Sequence, residues 1–265
     1  MILKASLLLG AALATAYLLL MAYAYFRADS LIFPAPEASY IDDSSIKKLK
    51  TATGDTISIL YLPVEKSAQL LLYSHGNGED LGYIRPLLES FQGAGIAVLS
   101  YDYPGYGTSP GIASEAATYA AADAVYQYAL LKLNYKAADI VLYGRSLGSG
   151  PSTWLAERYA VGGLIMDGAF SSTFRVLTGI KLLPWDKFDN LARLPRISCP
   201  IFLIHGKLDQ IVPFSHAKAN ARAVGPRATS LWVDQANHND LIDQAPELYW
   251  QSTLNFIRNP QDNGH

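Results

Sequence analysis

The chain has 265 residues, of which 50% are hydrophobic, 11% aromatic and 17% charged. That is enough for one large α/β domain, and with a formal net charge of -2 it excludes intrinsic disorder. The 21 basic and 23 acidic residues form no basic run that would suit nucleic acid, and the single cysteine, Cys199, excludes a disulfide scaffold and a cysteine-built zinc site.

Residues 5–26 contain no Asp, Glu, Lys or Arg. As a helix rising 1.5 Å per residue they span about 33 Å, enough for a hydrocarbon core of about 30 Å. Tyr17, Tyr23, Tyr25 and Phe26 gather toward one end and Arg27 follows, as at a membrane interface. The preferred reading is an uncleaved, single-pass transmembrane anchor over residues 1–27. A cleaved signal peptide competes, because Lys4 gives a positive flank and Ala22-Tyr23-Ala24 has a small-x-small cleavage form. The apolar run is, however, longer than the usual h-region of about 7–15 residues. A buried core helix fits worst, since it would ordinarily carry a polar face. Lys4 and the terminal amine, set against Arg27 and Asp29, favour a retained N-terminus and an exported catalytic domain.

Residues 28–45 read as a linker, with 30–36 extended because Pro34 and Pro36 disfavour helix before them. From residue 46 to 258 strand and helix signals alternate, and 259–265 form a tail. Short apolar runs at 57–62, 70–73, 96–99, 139–143, 164–166, 201–204 and 230–233 mostly close on Gly, Asp or His. They predict strands buried on both faces. Helix-length stretches lie between them at 83–92, 115–132, 152–159, 214–223 and 247–258. This order predicts an α/β fold with a mostly parallel central sheet flanked by helices, whose ligands sit at the carboxyl ends of the strands.

The sharpest motif is Gly144-Arg145-Ser146-Leu147-Gly148, directly after a strand and before a helix. That is the setting of a nucleophile elbow, where small neighbours permit a strained turn and the helix N-terminus favours negative charge. Pro151 sits deep for a first helical turn, so the helix is expected to start late or kink. A serine needs a base, and the base needs a carboxylate to orient it, expected on this scaffold in the order Ser, acid, His.

Among the histidines, His238 is the candidate base, because it follows the last strand in Asn237-His238-Asn239-Asp240. His75 and His205 read as turn packing, His216 as a solvated helix residue, and His265 is terminal. Asp209 is the preferred acid and Asp167 the competitor. Asp102 is expected to tie down the turn at 103–106. The oxyanion donors are expected to be the backbone N–H of Leu147 and one from the loop His75-Gly76-Asn77-Gly78, with Asn77 best placed. No histidine pair has metal-ligand spacing and no glycine-rich nucleotide motif follows a strand, so neither metal nor cofactor is expected.

These motifs resemble the α/β-hydrolase-fold serine hydrolases. Within them the chain is similar to a membrane-anchored, depalmitoylase-like subgroup with bacterial relatives. That subgroup carries an N-terminal span, a His-Gly-Asn-Gly-Glu-Asp loop and a Gly-Arg-Ser-Leu-Gly-Ser-Gly-Pro elbow. The resemblance covers residues 30–258 and implies Ser146, Asp209 and His238 as a triad, with Pro151 tolerated. The chain departs from it at Ala236-Asn237, where relatives often have Gly. Ester or acyl-thioester hydrolysis is the expected activity, on a small-molecule or acyl-bearing substrate. A serine peptidase and a non-catalytic binding protein on the same fold are the alternatives. Oligomeric state is left open. The short segment 168–199 is too small for a lid domain; its Phe170, Phe174, Leu177, Leu182, Leu183, Trp185 and Phe188 are expected to form a cap, about half packing on the sheet and the rest walling a groove beside Ser146.

Overall fold

The computed structural model describes residues 2–65 and 67–263; His265 lies outside them. The first element, helix α1 (Ile2–Ile32), is long and apolar enough to cross a membrane, and its most apolar window is unburied. A core helix would be buried there, so that reading falls. The helix also continues beyond Arg27 and Ser30, where extended chain was expected. Pro34 restricts only the residue before it, and the Phe33 N–H still donates to the Asp29 carbonyl at 3.0 Å. Tertiary contact accounts for the extra turn: Ala28 and Ile32 are buried against the domain, and Asp29 pairs with Lys187 at 3.1 Å. The chain after it is pinned. The Ser39 N–H donates to Asp80 Oδ2 at 2.7 Å, and the Tyr40 hydroxyl to Asp102 Oδ2 at 2.5 Å.

The domain follows in the order β1 (Ile46–Lys50), β2 (Thr56–Leu62), β3 (Leu70–Ser74), α2 (Leu81–Gly93), β4 (Ala97–Tyr101), α3 (Glu115–Leu131) and β5 (Ile140–Arg145). Next come α4 (Ser149–Arg158), β6 (Gly163–Asp167), α5 (Thr173–Thr178), α6 (Asn190–Arg193), β7 (Ile201–Gly206), α7 (Phe214–Val224), β8 (Ala228–Val233), α8 (Leu241–Gln244) and α9 (Pro246–Arg258). Among the described residues one sheet has the order β1-β2-β4-β3-β5-β6-β7-β8. β1 and β2 are antiparallel to their neighbours, and from β4 onward every pairing is parallel. β3, β4 and β6 are buried throughout, as their unbroken apolar runs require.

Two cores lie on opposite faces of the sheet. α3, α4, α7 and the end of α1 cover one, through residues such as Ala122, Val125, Leu155 and Ile32. α2 and α9 cover the other, through Leu88, Phe91, Tyr249 and Phe256. The residues expected to be strands and helices are so, with ends moved by a few positions. The strand that sequence reading missed is β1, Ile-Lys-Lys-Leu-Lys, whose charges suit an exposed sheet edge.

Residues 168–199 form a short cap. Phe170, Leu183 and Phe188 are buried, while Leu177 and Leu182 stand exposed. Cys199 closes this segment, 6% exposed, and burial pushes its thiol up to about 12. A maleimide or disulfide reagent at neutral pH is therefore expected to leave the native protein unmodified and to label it fully in denaturant. Rapid native labelling would show that the cap opens.

Candidate active site

β5 delivers Arg145 to the carboxyl edge of the sheet, and a single 3-10 turn over Ser146–Gly148 leads into α4. The late start expected of α4 is met by this turn. Pro151 falls in the first α-helical turn, where its missing N–H leaves no bond unmade. Ser146 has φ +47°, a left-handed conformation that side chains rarely adopt. Its neighbours explain how the turn closes. A Cβ on Gly144 would stand 2.5 Å from Ser149 Cα, and one on Gly148 would collide with the Ser74 and His75 carbonyl oxygens. The elbow therefore packs directly on the loop after β3.

The loop after β8 brings His238, 5% exposed, over this turn. His238 Nε2 lies 3.0 Å from Ser146 Oγ, and its Nδ1 lies 2.6 Å from Asp209 Oδ2, on the loop after β7. An ionised carboxylate only accepts, so Nδ1 carries the proton and Nε2 accepts from the serine hydroxyl. Burial alone would raise the Asp209 pKa, but hydrogen bonds from His205 and His238 outweigh it and hold the carboxyl below the usual range. Asp209 Oδ1 also accepts from the N–H groups of Ile211 and Val212, at 2.9 and 2.7 Å. A depressed carboxylate contributes stability above its unfolded pKa and loses it as pH falls, so Asp209 stays ionised through the neutral range.

The structure separates the other candidates. Asp167 does not reach His238. It accepts from the Tyr143 hydroxyl at 2.5 Å and the Tyr249 hydroxyl at 3.2 Å, so it is tied to buried tyrosines and does not cap its own loop. Asp102 accepts from the Leu81 N–H at 2.8 Å and from Tyr40, fixing the start of α2; its carbonyl accepts from the Ser109 hydroxyl at 3.3 Å and its N–H donates to the Ser58 carbonyl at 3.0 Å. Burial pushes its carboxyl up to about 6. His75 is buried, with Nδ1 2.8 Å from the Gly76 carbonyl.

His205 does more than pack a turn. Its Nε2 lies 2.8 Å from the Val212 carbonyl and 3.2 Å from Asp209 Oδ2, so it helps to seat the acid. His216 is not solvated: it is 6% exposed, and its Nδ1 accepts from the Ser171 N–H at 3.2 Å. Its spacing with Ala217, Asn220 and Val224 on the buried face of α7 is the signal that gave this away.

The side chain of Asn77 is already engaged. Its Nδ2 donates to the Ile32 carbonyl of α1 at 2.6 Å, and its Oδ1 accepts from the Tyr106 hydroxyl at 2.7 Å. Only its backbone N–H is left to serve an oxyanion. Sequence reading named Arg145 within the elbow but gave it no role. Its guanidinium lies 3.3 Å from Glu79 Oε1, 2.9 Å from Asn239 Oδ1 and 3.4 Å from the His238 carbonyl. Glu79 in turn accepts from the Gly76 N–H at 2.6 Å. One side chain thus ties together the elbow, the loop after β3 and the histidine loop.

A cleft of about 490 Å³ opens beside His238 and Arg145. Its apolar wall comes from Ile84 and Leu87 of α2 and Leu241 and Ile242 of α8, with none from the cap residues expected to wall a groove.

A sheet of this order, with a serine on the strained turn between β5 and α4, defines an α/β hydrolase. The family model for serine aminopeptidase, S33, matches residues 65–180. Alpha/beta hydrolase domain-containing protein 17B of Xenopus tropicalis is 33% identical over 209 residues, spanning 76% of this chain and 70% of that one. The Homo sapiens protein of the same name is 32% identical over the same shares. The chain belongs to the family of these alpha/beta hydrolase domain-containing proteins, which are serine hydrolases. In fold it is similar to an esterase of Pyrococcus furiosus, with TM-score 0.71 and 18% identity over 84% of this chain and 95% of that one. An esterase of Exiguobacterium antarcticum gives 0.65 at 17% identity, over 80% and 99%.

Proposed function

We propose that the protein hydrolyses carboxylic esters or acyl thioesters through Ser146, His238 and Asp209, from a membrane that α1 spans once. The hydrogen-bonded run Ser146–His238–Asp209, at 3.0 and 2.6 Å, is the observation that supports this most. Ser146 Oγ attacks the acyl carbon as His238 Nε2 takes its proton. Asp209 holds the imidazole in the required tautomer and offsets its charge. The backbone N–H groups of Leu147 and Asn77 are the proposed donors to the developing oxyanion. His238 then protonates the departing alcohol or thiol, and water, deprotonated by His238, releases the acid and restores the serine. The positive flank at Lys4 supports an N-terminus on the cytoplasmic side and the domain on the exported side.

The test is a series of p-nitrophenyl esters and acyl thioesters of rising chain length. kcat/KM is expected to climb by up to about fourfold per methylene, as about 0.8 kcal/mol per buried CH₂ is gained along Ile84, Leu87, Leu241 and Ile242. A profile that is flat beyond acetyl, with cleavage of aminoacyl amides, would favour the second reading, an aminopeptidase, to which the matched family model lends support. That reading needs a free carboxylate for the substrate amine. The nearby Glu79 is paired with Arg145 at 3.3 Å and Asp80 caps α2 while accepting from the Tyr83 N–H at 2.9 Å, which leaves the exposed Asp243 on the cleft wall as the carboxylate that would serve it.

A further inference from the structure

The cap does not stand apart from the apolar helix. The Tyr17 hydroxyl donates to the Leu182 carbonyl at 3.0 Å, and the Tyr25 ring meets Trp185 edge-on at 6.3 Å between centroids. With the Asp29–Lys187 ion pair at 3.1 Å, these contacts run the cap alongside α1, from the level of Asp29 up to that of Tyr17. Tyr17 lies in the middle of the charge-free stretch 5–26. Any 20 residues of that stretch that fill a hydrocarbon core place Tyr17 about 10–14 Å inside the nearer boundary. Whatever is bonded to Tyr17 enters with it.

The part of the cap that this carries inward is apolar and unpartnered. Leu177, Ile180 and Leu182 are 86, 62 and 46% exposed, an arrangement that costs free energy in water. Lys181 is the one charge between residues 177 and 184, and its four-carbon stem carries the ammonium toward the lipid headgroups. The nearest other cations of the cap are paired with carboxylates: Arg175 is 3.5 Å from Asp189, and Lys187 is held by Asp29. Trp185, level with Tyr25, sits where aromatic side chains favour the interface.

We infer that residues 177–184 are a second membrane contact, an apolar tip of the cap that enters the same bilayer leaflet as the neighbouring length of α1. This rests on α1 being a membrane anchor. The domain is then held at two points, with Phe188, whose ring a Cβ on Gly150 of α4 would strike, linking the immersed tip to the helix that starts at the nucleophile. The occupant of the exposed patch is lipid acyl chain.

The experiment uses the full chain in phosphatidylcholine–phosphatidylglycerol vesicles, with single introduced cysteines carrying an environment-sensitive fluorophore. Buried Cys199 stays silent. The sites are Leu177→Cys on the tip, Ala12→Cys on the helix and Lys132→Cys on the exposed end of α3. Lipids bearing a nitroxide on the acyl chain are expected to quench and blue-shift the labels at 177 and 12 and to leave the label at 132 unchanged. Quenching at 12 with a water-like label at 177 would overturn the second contact and leave the anchor standing. A water-like label at both would overturn the anchor and the inference with it. Equal quenching at 132 would mean that the domain lies nonspecifically on the lipid, which overturns the inference too.

Discussion

Ser146→Ala is expected to reduce ester turnover by roughly 10⁶-fold in kcat, leaving only what the remaining donors and substrate binding supply. The variant loses one hydroxyl from a turn whose backbone is set by Gly144 and Gly148, so circular dichroism and vesicle association should match the parent. A companion change separates chemistry from strain. Ser146 holds φ +47°, a conformation that costs a residue with a side chain about 1–2 kcal/mol and glycine little. Ser146→Gly should therefore be equally inactive yet unfold at higher urea. Substantial activity in either variant would remove Ser146 from the chemistry. Lower stability in the glycine variant would show that the hydroxyl, not the backbone, dominates the energetics of the turn.

Asp209→Asn should lower kcat by about 10⁴-fold with little change in KM. An amide cannot hold the Nδ1–H tautomer as a carboxylate does, and its NH₂ group, turned toward His238, would force the proton onto Nε2 and block acceptance from Ser146. Asp167→Asn is the matched control. Its carboxylate accepts from Tyr143 and Tyr249 and lies 3.9 Å from Arg145, so the loss should be in stability, about 1–3 kcal/mol, with kcat within a few-fold. Steady-state kinetics and urea unfolding on both variants decide the matter. A reversed pattern would move the acid from the loop after β7 to the end of β6.

Much of the fold was legible because its strands are buried on both faces, and a short apolar run such as Leu70–Ser74 suits a buried strand and little else. The edge strand β1 was not, because three of its five residues are lysines and its pairing with β2 comes from backbone bonds that leave no hydrophobic pattern. Ser146, Asp209 and His238 could be picked out as candidates because the scaffold orders them along the chain and each follows a strand. The contacts around them were hidden for a common reason: the partners are distant in sequence. Nothing near Arg145 announces Asn239, 94 positions on, nor does Asn77 announce Ile32. The end of α1 was misread because Ser30 and two prolines weigh against helix locally, whereas burial of Ala28 and Ile32 decides the outcome.

The bond from Asn77 to the last turn of α1 has a consequence for what can be cut. A domain on a slack tether samples many heights above a bilayer and can meet scissile bonds at any of them. Here the helix end is bonded to the loop beside the nucleophile, and Ala28, Ile32 and Phe33 are packed into the core. If α1 spans the bilayer as proposed, Ser146 stands at one altitude, set by where the helix leaves the hydrocarbon. With α1 as the proposed membrane span, the anchor would act as a ruler as well as a tether, selecting substrates by how far their labile bond protrudes from the lipid surface. Lengthening or shortening the chain between Arg27 and Phe33 would recalibrate it.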